Sequence, residues 1–103
     1  MKTALIGLTM AAALLSHGFA NANEALAQKS NCYACHALDK KILGPAFTEV
    51  AKRYAGKDDS VQVITQSIRK GSVGKWGAIP MPGNEQLSEA DAGTLANWII
   101  SLK

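Results

Sequence analysis

Cys32-Tyr33-Ala34-Cys35-His36 is the stretch on which the reading of this chain turns. It has the form C-x-x-C-H, the attachment pattern of a covalently bound c-type haem. Residues at i, i+3 and i+4 of one helical turn share a face, so two thiols and an imidazole at this spacing can address a single flat ligand. Each thiol can add to a porphyrin vinyl group as a thioether, and the adjoining imidazole then reaches the iron. Cys32 and Cys35 are thereby assigned to covalent attachment of one haem c, and His36 to the proximal iron position. Two other sites contain C-x-x-C: a redox dithiol and half of a zinc site. The dithiol is normally preceded by a β-strand, whereas the residues before Cys32 have helical character. Zinc needs a fourth strong ligand, and beyond residue 22 the chain has no further histidine or cysteine.

Upstream of this motif, Lys2 precedes a 12-residue apolar run, Ala4 to Leu15, interrupted by Gly7 and Thr9. Ala20-Asn21-Ala22 follows in the A-x-A form of a cleavage site. A membrane-spanning helix takes about 20 apolar residues. Residues 1–22 are therefore expected to be a cleaved secretory signal, with cleavage after Ala20 as the alternative. Residues 23–103 are the expected domain, located in the periplasm with no membrane insertion after cleavage. Those 81 residues carry ten basic and eight acidic side chains. This near-balance lacks the concentrated basic stripe of a nucleic-acid binder. In an oxidising compartment a pair of cysteines would ordinarily form a disulfide, but thioether formation consumes both. So short a chain struggles to build its own apolar core. Its main aromatics are Phe47, Tyr54, Trp76 and Trp98, and a buried porphyrin would supply the missing apolar mass.

The pattern beyond residue 22 is helical. Asn23 is a candidate cap for a short helix through about Ser30, with Ala25, Leu26 and Lys29 on one face and the haem motif at its last turn. A solvated connection from Asp39-Lys40-Lys41 ends at Gly44-Pro45. From Ala46, Phe47, Val50, Ala51 and Tyr54 recur at i, i+3, i+4, i+7 up to a stop at Gly56. Asp58-Asp59-Ser60 starts a third helix with Val61, Ile64 and Ile68 as its stripe and Gly71 as its stop. Residues 71–87 hold four glycines and two prolines and no helical period, which makes them a long loop with a functional content. Ser88-Glu89-Ala90-Asp91 resembles a capping box, and Leu95, Trp98, Ile99 and Leu102 line a final helix expected to pack on the first. No stretch reads as a strand. The fold class is all-α.

Within the loop, Met81 is the sole methionine beyond residue 22 and stands between Pro80 and Pro82. The two prolines restrict the backbone on both sides. A gap-filling core methionine does not need such stiffness, so Met81 is assigned as the second axial iron ligand. A lysine or an open site are the alternatives. Thioether sulfur favours ferrous iron and raises the reduction potential. A doubly ligated iron leaves no vacancy for substrate, which implies an electron carrier and not an enzyme. An enzyme or gas sensor would require Met81 to dissociate.

With these residues placed, Cys32 to His36, Gly44-Pro45-Ala46 and Trp76-Gly77-Ala78-Ile79-Pro80-Met81-Pro82 together resemble the short bacterial class I cytochromes c, the cytochrome c-551/c-552 group. The resemblance covers essentially all of residues 23–103. It implies a small class I cytochrome c fold of about four helices packed around one covalently bound haem. It further implies that Pro45 accepts a hydrogen bond from the second imidazole nitrogen of His36, that Trp76 donates to a haem propionate, and that Asn84 bonds near the Met81 sulfur. For Trp76 a plain core aromatic, and for Asn84 an ordinary turn residue, are the competing readings. The group shuttles single electrons from quinol-oxidising complexes to acceptors such as nitrite reductase, oxidases or a peroxidase. A monomer is expected, since nothing in the sequence suggests an interface. Docking would use the exposed haem edge near Ala34, Ile79 and Pro80, with Lys40, Lys41 and Lys75 around it. Two departures stand out. Ser67 occupies a position where the group often has a basic side chain for a propionate, and Arg69 is two positions away. Gly83 stands where a second proline commonly follows, which leads one to expect a more mobile Met81 loop.

Overall fold

The computed structural model describes residues 18–102. The expected leader lies outside the described residues except for the backbone of residues 18–22. Four α-helices account for the regular structure: α1 (Gly18–Lys29), α2 (Phe47–Tyr54), α3 (Ser60–Lys70) and α4 (Glu89–Ile100). Among the described residues no strand forms. Two isolated antiparallel bridges, His36 with Lys41 and Ser72 with Met81, are the β-type pairings among the described residues.

Helix α1 departs from expectation at both ends. It runs through Asn23 from Gly18, so Asn23 lies inside it and caps nothing. It also stops before the haem motif. Asn31 takes a left-handed conformation, φ 66°, which asparagine tolerates better than most residues. Cys32–Ala34 then form a separate turn of 3₁₀-helix. Among residues 23–29 of α1 the buried one is Ala27, with Leu26 half-buried and Ala25 exposed.

The remaining helices follow their sequence signals closely. Helix α2 buries Phe47, Val50 and Ala51. Its first two free N–H groups are met from the preceding loop, Phe47 N donating to Ala37 O at 2.9 Å and Thr48 N to Leu38 O at 3.0 Å. Helix α3 buries Ile64 and Ile68 and ends at Gly71, whose φ of 83° suits glycine. Helix α4 starts on a true cap, Ser88 Oγ accepting from Asp91 N at 3.0 Å. Leu87 just before that cap and Ala92 four residues after it are both buried in the same core cluster, the arrangement of a hydrophobic staple.

The packing differs from the expectation that α4 would pair chiefly with α1. Helix α4 is the hub, touching α1, α2 and α3, and α3 is its most extensive partner. The reason is its composition. Ala92, Leu95, Ala96, Trp98 and Ile99 are all buried, a face too broad for one short neighbour.

Candidate functional site

The four helices do not close on a solid core. A cavity of about 420 Å³ opens among them, and Phe47, Ile64, Ile68, Leu95 and Ile99 belong at once to the core cluster and to its lining. On the same lining lie Cys32, Cys35, His36, Pro45, Trp76, Met81 and Asn84. Every site residue singled out in the sequence is thus brought to one cavity, across separations of up to about fifty residues.

The C-x-x-C-H turn keeps its expected face although it is not the end of α1. Cys35 N donates to Cys32 O at 3.1 Å and His36 N to the same oxygen at 3.0 Å. The second of these is an α-type i to i+4 bond, so the thiols and imidazole remain on one side. Both cysteines are half-buried and are not bonded to one another. Burial pushes the Cys32 thiol above its ordinary value, and the nearby Cys35 adds to the rise. A dithiol oxidoreductase needs the opposite, a nucleophilic cysteine with its pKa lowered. Nor do three or more His, Cys, Asp or Glu side chains converge on a metal-ion site among the described residues.

His36 is held by three neighbours. Its Nδ1 lies 2.8 Å from Pro45 O. A carbonyl can only accept, so Nδ1 is the donor and Nε2 is the ring nitrogen that a metal would take. The Phe47 ring stacks on the imidazole, centroids 4.9 Å apart and planes 23° off parallel. Gly44 completes the seat: a Cβ there would fall 2.6 Å from His36 Cε1. The intervening loop is folded back by Gly44 N donating to Cys35 O at 2.7 Å, which carries Gly44-Pro45 onto the ring.

Met81 is positioned by backbone. Ser72 N donates to Met81 O at 3.0 Å and Met81 N to Ser72 O at 2.9 Å, while Asn84 N donates to Ile68 O at 2.8 Å. The loop is thus tied to Ser72, two residues past the end of α3, before Pro82-Gly83 and to α3 itself after it. The structure assigns Gly83 a steric role: a Cβ there would lie 2.7 Å from Arg69 O and 2.9 Å from Lys70 C. Asn84 Oδ1 accepts from Gln86 Nε2 at 2.8 Å, which commits its acceptor and leaves the amide N–H₂ to act as donor.

Trp76 is half-buried on the lining. The guanidinium of Arg53 lies 3.5 Å over its ring centroid, and Arg53 Nη1 also donates to Lys75 O at 2.6 Å. Arg53 is a residue that sequence reasoning missed, since nothing local links a helix α2 arginine to a loop 22 positions away. Arg69 is engaged elsewhere, its Nε donating to Leu87 O at 3.1 Å. Leu43, 56% exposed at the cavity edge, was not anticipated either.

Two cysteines, an imidazole oriented by Pro45 O and a thioether side chain around an apolar cavity form a donor set suited to a covalently attached haem. The seat made by Gly44 fits that assignment, since it fixes the imidazole that would bind iron. The class defined is therefore a small all-α haem protein of the c type. Comparison with known proteins agrees. The Cytochrome c family model matches residues 20–103. Cytochrome c-552 of Nitrosomonas europaea is 50% identical over 103 residues, covering 100% of both chains. Cytochrome c-551 of Pseudomonas aeruginosa is 43% identical over 101 residues, 97% of this chain and 96% of the relative. The crystal structure of the wild-type Nitrosomonas europaea protein superimposes with a TM-score of 0.76 at 49% identity, covering 78% of this chain and 99% of that one. The chain belongs to the cytochrome c family. It carries covalently bound haem c and transfers electrons, as a carrier and not an enzyme.

Proposed function

We propose that residues 23–103, released by signal cleavage, form a monomeric periplasmic carrier with His36 and Met81 as axial iron ligands. In this reading it takes single electrons from a quinol-oxidising complex and delivers them to a terminal reductase or oxidase, nitrite reductase being one candidate. The observation that carries the axial assignment is the 2.8 Å contact of His36 Nδ1 with Pro45 O. It commits Nδ1 to the carbonyl and leaves Nε2 as the ring nitrogen for iron, on a cavity whose lining also includes Met81.

The bound haem supplies a one-electron ferric/ferrous couple. The protein's own residues keep that couple simple. Cys32 and Cys35 tether the group against dilution. Pro45, Phe47 and Gly44 fix the imidazole in orientation and tautomer, which keeps reorganisation small when the charge changes. Met81, on a loop tied by the Ser72 pair, offers a soft ligand that favours the ferrous state. The Asn84 amide is free to donate toward that sulfur. The indole N–H of Trp76 is assigned to a haem carboxylate, with Arg53 fixing the ring. Among the described residues no helix is long and apolar enough to cross a membrane.

Mass spectrometry and the ferric optical spectrum of the periplasmic product test this together. The expected mass is that of residues 23–103 plus one haem, with the long-wavelength sulfur-to-iron charge-transfer band present at neutral pH. Absence of that band would remove Met81 from the iron, and a haem-free mass would end the reading altogether.

A further inference from the structure

The cavity lining is largely apolar, and among the described residues Lys75 is the one lysine, arginine, aspartate or glutamate on it. Lys75 reaches across from the loop to α3, its Nζ donating to Ser67 Oγ at 3.3 Å. Ser67 lies on the same lining. The ion pairs among the described residues are Lys52 with Glu49 and Lys70 with Glu85, so Lys75 has no carboxylate partner there. Its side chain is exposed, but its backbone is not loose: Arg53 holds Lys75 O and lies over the next ring, Trp76.

A haem presents carboxylate arms as well as an apolar ring. An apolar cavity receives such arms at low cost where a cation or several donors meet them. We propose that Lys75 is that cation, delivered from the loop to the spot beside Ser67, with Arg53 as the positioning residue for the 75–76 segment. This rests on the haem reading above. The serine on α3 supplies no charge of its own, but its hydroxyl accepts from the ammonium and holds it at the cavity. No protein carboxylate on the lining competes for it. A fixed positive charge at this edge opposes the extra positive charge of ferric iron and so favours the reduced form.

The experiment equilibrates purified holoprotein with a soluble redox couple and reads the reduced-to-oxidised ratio at fixed pH and ionic strength. Lys75→Gln is expected to lower that ratio about two- to fivefold, the range of an exposed charge pair, and Lys75→Glu to lower it further. Ser67→Lys combined with Lys75→Gln returns the cation to the same spot from α3 and restores the ratio. Lys29→Gln, an exposed cation off the lining, leaves it nearly unchanged. Proton NMR of the haem carboxylate arms should shift in Lys75→Gln and not in Lys29→Gln. An unchanged ratio in Lys75→Gln, or equal shifts in the Lys75 and Lys29 variants, overturns the proposal. The charge-transfer band of the wild type decides the Met81 assignment separately, because the Lys75 result is read from the ratio alone.

Discussion

Replacing Gly44 by alanine would press a methyl group into the imidazole assigned to iron. The added Cβ lies 2.6 Å from His36 Cε1, 2.9 Å from Nδ1 and 3.2 Å from Nε2, where ordinary contact begins at 3.4 Å. The ring must therefore move by about 0.8 Å, the difference between 3.4 and 2.6 Å. It cannot do so freely, with Phe47 stacked on it at 4.9 Å and Pro45 O bonded to Nδ1 at 2.8 Å. A retreat of that size along the bond would end the hydrogen bond, a net loss of about 0.5–1.5 kcal/mol. The crowding itself costs about 1–3 kcal/mol. Taken together, roughly 2–4 kcal/mol corresponds to a fall in Tm of at least about 8 °C for a domain of this size. Thermal unfolding of the holoprotein, followed by circular dichroism, measures this, and proton NMR of the His36 Nδ1–H reports the lost bond. A Gly44→Ala protein that melts within about 2 °C of wild type, with that resonance unmoved, would refute the claim that Gly44 and Pro45 jointly seat the ligand.

Three further outcomes follow from the same geometry. Gly93→Ala, inside α4 and meeting nothing nearer than Thr65 Oγ1 at 4.0 Å, should stabilise by about 0.5–1 kcal/mol through helix propensity; a denaturant midpoint that falls would contradict this. Gly83→Ala forces a Cβ to within 2.7 Å of Arg69 O and should destabilise by about 1–3 kcal/mol, weakening the charge-transfer band as temperature rises. That band should persist to the wild-type temperature only if the backbone approach is unimportant. The Tyr33 hydroxyl is buried without a hydrogen-bond partner, so Tyr33→Phe should be neutral or stabilising by up to about 1 kcal/mol; a clear loss of stability by chemical denaturation would show that the hydroxyl is satisfied in solution.

The site was legible in the sequence to an unusual degree because its chemistry depends on rare residue types. One histidine and two cysteines beyond residue 22, at i, i+3 and i+4, leave few ligands that could use them. Met81 stood out because prolines flank it. Helices α2, α3 and α4 were readable for a different reason: their stripes, the Gly71 stop and the Ser88 cap are local signals that tertiary contacts reinforced. Where the reading slipped, the determinant was not local. The left-handed turn at Asn31 separates α1 from the haem motif, and no pattern at residues 23–36 announced it. The close approach of Gly83 to Arg69 O was likewise not readable, because it arises only once α3 and the loop are folded together.

The amino-acid order by itself determined helices α2, α3 and α4, the attachment motif and the pair of candidate iron ligands, because periodicity, caps and scarce side chains are short-range information. Tertiary structure alone decided that α4 would be the hub, that Arg53 would cover Trp76, and that Lys75 would stand beside Ser67. Those contacts join residues eight or more positions apart, and they form when helices close around a space too large for their own side chains to fill.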